Sequence, residues 1–224
     1  MMMAEFEAIL MAARNLLDDA EKHLRAGDYD SARTVVEQAV KVAREQDHTP
    51  SLAAAYYGMA SVIWNSGGTA EDAHHYASLA AQHSKANTST DLMVRTLIAR
   101  LKAARGNYEA ATLLNEDLMR YYRQEEQLDG LADVLRSLGD ISRAQGRYEV
   151  AKLQYFESLE LYKKLEDPLN HSALLLSLGS LMFQMDHHDE ARQFWEEARG
   201  IAQGQGFRHV LERVEEGLAL FDEL

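Results

Sequence analysis

One six-residue form recurs along the chain, and it constrains the fold more than any other feature. Gly27-Asp28-Tyr29-Asp30-Ser31-Ala32, Gly106-Asn107-Tyr108-Glu109-Ala110-Ala111 and Gly146-Arg147-Tyr148-Glu149-Val150-Ala151 share the pattern Gly-x-Tyr-x-x-Ala. Gly68-Thr69-Ala70-Glu71-Asp72-Ala73 and Asp186-His187-His188-Asp189-Glu190-Ala191 are weaker copies. The final Ala falls at 32, 73, 111, 151 and 191, so the spacings are 41, 38, 40 and 40 residues. A period near forty means stacked repeats that share a continuous core, rather than one globular centre.

Each copy reads as a corner between two helices. Gly ends one helix in a conformation that a Cβ disfavours, and the polar residue after it starts the next. Ala allows the partner helix to approach, while Tyr29, Tyr108 and Tyr148 wedge between helices. Twelve residues before each Ala stands a small residue, Ala20, Ser61, Ala99, Gly139 or Gly179, expected to form the other half of that contact. Val36, Ala77, Asn115, Tyr155 and Trp195 follow Ala by four, and Ala39, Ala80, Leu118, Ser158 and Ala198 by seven, which is one face of a helix. The chain has only two prolines, and Pro50 and Pro168 both fall in joints between repeats, where Pro can begin a helix.

First helices are therefore expected at about 5–25, 51–65, 89–104, 130–144 and 170–184, and second helices at about 29–45, 70–85, 108–126, 148–165 and 188–203. A last helix at about 207–222 carries Phe207, Val210, Leu211, Val214, Leu218 and Phe221 on one face. Glu212, Arg213, Glu215, Glu216 and Asp222 on the other make it a polar cap. The repeats fall at approximately 5–47, 50–86, 88–127, 129–166 and 169–204, and 1–224 reads as a single domain. Irregular packing is expected in the second and third, where Ser61, Ala99 and Asn115 depart from the pattern.

Composition narrows the function. The formal charge of −13, with Lys and Arg dispersed, disfavours a phosphate backbone as partner, so no nucleic acid is expected. The absence of cysteine removes thiol chemistry and thiolate metal sites. No apolar run reaches membrane length, and Met1-Met2-Met3-Ala4-Glu5-Phe6-Glu7 does not read as a signal peptide, so a cytoplasmic protein without membrane contact is expected.

Nine histidines include the pairs His74-His75 and His187-His188, but neighbours on a helix point about 100° apart and do not chelate. His187, His188 and Asp189 read as a polar turn, and His74 and His75 as helix surface or repeat contact. HExxH, GxxxxGK[ST], GxSxG and strand-linked GxGxxG are all missing, and Gly200-x-x-x-Gly204-x-Gly206 needs only a loop. Glu125-Glu126 and Glu215-Glu216 read as solvated faces. No enzyme, cofactor or metal is expected.

Leu138-Gly139, Gly146-x-Tyr148-x-x-Ala151, Tyr155 and Ser158, repeated as Leu178-Gly179, Ala191, Trp195 and Ala198, resemble the tetratricopeptide (TPR) repeat over nearly the whole chain. The period is similar to that of the long-helix subclass of kinesin light chain, the Leu-Gly-Asn scaffolds, the Rap-type peptide receptors and the maltose-regulon activator. HEAT and armadillo repeats do not predict the corner; Sel1-like repeats are closer rivals. The resemblance implies an all-α, right-handed α-α superhelical solenoid of five TPR-like helix pairs plus a C-terminal capping helix. It also implies a protein or peptide partner in a concave groove lined by the first helices.

The family's groove phase falls on Arg14, Leu17 and Glu21, then Ala55, Gly58, Val62 and Asn65, then Met93, Thr96 and Arg100. It continues through Asp133, Arg136, Asp140 and Arg143 to Leu176, Ser180 and Phe183. From these, Arg14, Val62, Asn65, Met93, Arg100, Asp133, Arg136, Asp140, Arg143, Leu176 and Phe183 are the candidate partner-binding residues. Leu17 and Glu21 disfavour a carboxylate clamp for an acidic chaperone tail. Asp133, Arg136, Asp140 and Arg143 form one stripe of alternating sign. The stripe reads equally as a ladder for a partner's charges or as internal pairs worth ~0.2–0.5 kcal/mol each. Two other readings remain: a signalling-peptide receptor or regulatory domain, and a homo-oligomer that packs through a surface such as Tyr121-Tyr122.

Overall fold

The computed structural model describes the backbone of residues 2–223 and the side chains of residues 11 and 14–221. Among these residues the chain is all-helical. Paired helices run α1 (Met2–Ala26) and α2 (Tyr29–Glu45), α3 (Thr49–Asn65) and α4 (Ala70–His83), α5 (Ser89–Ala104) and α6 (Tyr108–Gln124). They continue as α7 (Leu128–Ala144) and α8 (Tyr148–Lys164), then α9 (Pro168–Gln184) and α10 (His188–Gln205). A single helix, α11 (Arg208–Ala219), ends in a 3-10 turn at Leu220–Glu223, short of the expected 222. Asp222, assigned to the polar face of the cap, lies outside the described side chains.

Every corner carries one residue in the left-handed region. Within repeats it is Gly27, Gly67, Gly106, Gly146 or Asp186; between repeats it is Asp47, Asn87, Glu126, Glu166 or Gly206. At the fourth corner Gly146 N–H donates to the Arg143 carbonyl at 3.0 Å and Arg147 N–H to that of Ser142 at 2.9 Å, which satisfies the carbonyls the helix end leaves open. The second corner departs from the expected register. Gly67, rather than Gly68, takes the positive φ, and Thr69 caps α4 by accepting from Asp72 N–H at 3.1 Å. One additional corner residue explains the spacing of 41. Pro50 and Pro168 occupy the first turns of α3 and α9, as their joint positions predict.

The chain divides into two compact units, Met1–Ala111 and Thr112–Leu224. In the first, Ala32, Val36, Met59, Val62, Ala73, Ala77, Leu97 and Leu101 form the core. In the second, the core gathers Tyr155, Tyr162, Leu174, Leu178, Leu181, Met182, Trp195, Val210 and Val214. The small residues at Gly139 and Gly179 do not face Ala, as the spacing suggests, but the ring four residues after it. A Cβ built on Gly139 would lie 2.5 Å from Cδ1 and Cε1 of Tyr155, and one on Gly179 would collide with Trp195. Trp195 also packs over Gly217 of α11, so its indole lies between two backbones that approach closely because neither has a side chain. At the aromatic position of the third repeat, Asn115 is fully buried. Its Nδ2 donates to Ser137 Oγ at 3.0 Å, but its Oδ1 has no partner, which gives physical content to the irregular packing expected there.

No helix among the described residues is long and apolar enough to cross a membrane.

Candidate functional site

In the first unit the sequence-derived residues separate into surface and core. Arg14 and Asn65 are exposed, Met93 is 45% exposed, and Arg100 is half-buried. Asn65 donates back to the Ser61 carbonyl at 2.8 Å, which closes its own helix end. Val62 is fully buried among the core of α2, α3 and α5 and is therefore not a surface anchor. The apolar periodicity that placed it in the groove is the periodicity of the core.

Two candidates of the second unit are corrected in the same way. Leu176 is 3% exposed, and its carbonyl accepts Trp195 Nε1–H at 3.1 Å. Phe183 belongs to an aromatic cluster, with ring centroids 5.0 Å from His188, 5.8 Å from Trp195 and 5.6 Å from Phe221. Arg192 covers Phe221 at 4.2 Å, a cation–π contact. His188 is thus part of this packing rather than of a polar turn, whereas His187 is exposed and pairs with Glu190 at 3.1 Å. Tyr122 is 5% exposed and lies against Gly130, which leaves Tyr121 alone of that pair near the surface.

The α7 stripe is different. Asp133 is exposed, while Arg136, Asp140 and Arg143 are half-buried. Tyr155 and Tyr162, one face of α8 at a seven-residue spacing, are buried beneath it. Tyr155 Oη donates to Asp140 Oδ1 and Tyr162 Oη to Asp133 Oδ1, each at 2.5 Å, in the range of charge-assisted bonds. Burial, then the Asp140 charge, push the Tyr155 phenol far above its ordinary pKa, so it remains a donor.

Arg136 Nε is buried without a hydrogen-bond partner. Burial works against the Arg136 charge, but the oxygens of Tyr162, Asp140, Asp133 and Tyr155 outweigh it and hold the guanidinium above its ordinary range. Desolvation, then the like charge of Arg136, push the pKa of Arg213 on α11 down, against the pull of Asp140 and Glu216. Its side chain is exposed, as expected for the polar face of the cap.

The second unit also has a cleft of about 290 Å³ between α6 and α8 above α7, lined by residues including Met119, Arg123, Leu138, Val150 and Gln154. No group of three or more His, Asp or Glu residues among those described could hold a metal.

A protein-family model described as anaphase-promoting complex subunit 5 matches residues 3–64 and 101–223. No curated protein sequence matches the chain significantly. Among solved structures, Bacillus thuringiensis PlcR in complex with the peptide PapR7 and DNA is similar with a TM-score of 0.77 at 12% identity, over 90% of this chain and 73% of that one. The apo form of RapI gives 0.62 at 14% identity, over 87% and 71%. A Podosopora anserina kinesin light chain protein of nearly identical TPR-like repeats gives 0.56 at 18% identity, over 86% and 95%. At these identities the likeness establishes the TPR-like helical repeat fold.

Proposed function

The chain belongs to the anaphase-promoting complex subunit 5 family, a TPR-like family, and from that membership we propose that it is a non-enzymatic interaction module holding a peptide or partner-protein segment on its first-helix faces. In this reading residues 1–224 work as one repeat array. The observation that carries the proposal is the α7 face, where half-buried Arg136, whose Nε has no hydrogen-bond partner, stands on the same stripe as Asp140 and Asp133, each held by the hydroxyl of a buried tyrosine. The surface residues that remain in the proposed face are Arg14, Asn65, Met93, Arg100, Asp133, Arg136, Asp140 and Arg143.

The test is a pull-down with cross-linking from the native cell extract, using the wild type, Met93→Glu, Arg143→Glu and, as control, Leu153→Glu on α8, a residue 72% exposed. Loss of the same partner from the first two variants but not the third supports the first-helix faces. Equal recovery from all four refutes them.

A second reading, a signalling-peptide receptor or regulatory domain, is favoured by the PlcR structure, which holds a peptide. That structure also holds DNA; for this chain the charge of −13 favours the peptide. A ligand-dependent change in hydrodynamic radius separates the receptor from a static scaffold.

A further inference from the structure

The cleft between α6 and α8 has the size and lining for an apolar side chain. Leu135 and Leu138 of α7, both buried, line it together with Met119 of α6 and Val150 of α8. At about 290 Å³ it falls below the ~300–1,000 Å³ of small-molecule sites. Beside it, Leu153 stands three residues after Val150 on α8 and is 72% exposed. Leu113, next to the lining residue Thr112 on α6, is 58% exposed. One face of the second unit thus carries an apolar hole and apolar knobs together, which is the mark of an interaction surface.

The charges around the cleft indicate what covers it. Two cations, Arg123 and Arg147, and two anions, Glu116 and Glu157, line it, so this face is neutral on a chain of formal charge −13. Copies with that net charge repel one another, and they do so least across a neutral face. Arg123 already donates to Glu157 at 3.2 Å. Arg147 donates to the amide oxygen of Gln145, a neutral acceptor that binds a guanidinium less strongly than a carboxylate does. Glu116 on α6 and Arg147 at the start of α8 are both exposed and lie on opposite sides of the cleft. A two-fold axis that brings Arg147 of one copy to Glu116 of the other forms the same contact twice, as an isologous interface requires.

We propose that a second copy of this chain docks on the α6–α8 face, with Leu153 of each copy in the other's cleft and Arg147 of each against the other's Glu116. Because α6 and α8 are second helices, this surface is separate from the first-helix faces of the interaction module. A dimer formed here presents two such modules.

The experiment is sedimentation velocity of the full chain from about 1 to 500 μM, which spans the affinities of small interfaces. The mass is expected to rise from 25.3 kDa toward twice that value. Leu153→Glu should weaken association at least about tenfold. Arg147→Glu or Glu116→Arg alone sets like charges against each other at both contacts and should weaken it about tenfold or more. An equimolar mixture of those two variants places opposite charges at both contacts and should regain the wild-type affinity. All three positions are exposed, and circular dichroism checks that each variant keeps its helix content. A mass of 25.3 kDa at every concentration, a dimer indifferent to Leu153→Glu, or a mixture no tighter than its components overturns the proposal. A monomeric wild type whose Leu153→Glu variant loses a partner in the pull-down gives this face to another protein and overturns it as well. A dimer lost in Leu153→Glu with partner recovery unchanged supports both surfaces.

Discussion

Gly139→Ala places a methyl group where the structure has no room, and its effect follows from three opposing contributions. The new Cβ lies 2.5 Å from two ring carbons of Tyr155, a residue with no exposed surface and with its hydroxyl held by Asp140. The ring cannot yield by moving outward. Overpacking of this kind costs about 2 kcal/mol, and displacement that breaks the bond to Asp140 adds about 1 kcal/mol. Ala in a helix interior returns about 1 kcal/mol relative to Gly. The net destabilisation is about 2 kcal/mol, or about 4–8 °C in Tm at 2–4 °C per kcal/mol for a chain of this size. Gly200→Ala is the matched control, since it is a helical glycine with open space at its Cβ and should gain up to about 1 kcal/mol. Both are measured by urea unfolding followed by circular dichroism. If Gly139→Ala is as stable as the wild type, the ring-over-glycine packing is not what holds α7 against α8.

Tyr162→Phe should lose about 1 kcal/mol, because it removes only the hydroxyl that donates to Asp133, and urea titration reads the loss. Replacing both Asn115 and Ser137 by Leu and Ala removes a buried amide with an unpartnered Oδ1 together with its one bond; the double variant should unfold at the wild-type urea concentration or higher, whereas Ser137→Ala alone should lose about 1–2 kcal/mol. Burial, then Lys163, hold the His171 imidazole below its ordinary pKa, against the pull of Glu197 and Glu160. The unfolded chain therefore takes the proton first. Stability is fully present above the unfolded value of about 6.5 and is lost as pH falls through the lower folded value. His74 and His209 are lowered in the same direction, also chiefly by burial. The urea midpoint should fall from about pH 7.5 to 5.5, and less steeply in His171→Asn; an unchanged slope in that variant removes His171 from the explanation.

The helix pairs are legible because corner chemistry is local. Gly27, Gly106 and Gly146 mark the turns, and Pro50 and Pro168 mark the joints, without reference to anything distant in the chain. Gly67 was missed because two adjacent glycines can each close a corner, and only the backbone shows which one takes the positive φ. The face assignments fared differently. Val62, Leu176 and Phe183 share a helical period with the exposed groove positions, and apolar residues at that period pack as readily inward as outward. Arg213, with Glu212, Glu215 and Glu216, was legible as the exposed face of the cap because a terminal helix packs on one side only.

The two tryptophans divide between the two units. Trp64 is half-buried on the first core, and Trp195 is held between Gly179 of α9 and Gly217 of α11. In Trp64→Phe, the remaining emission comes from an indole pinned on one side by the cap. Its wavelength then reports whether α11 is seated, before the rest of the second unit loses any helix. In Trp195→Phe, Trp64 follows the first unit alone, so the order in which the parts of this chain come apart can be read by fluorescence without cutting it.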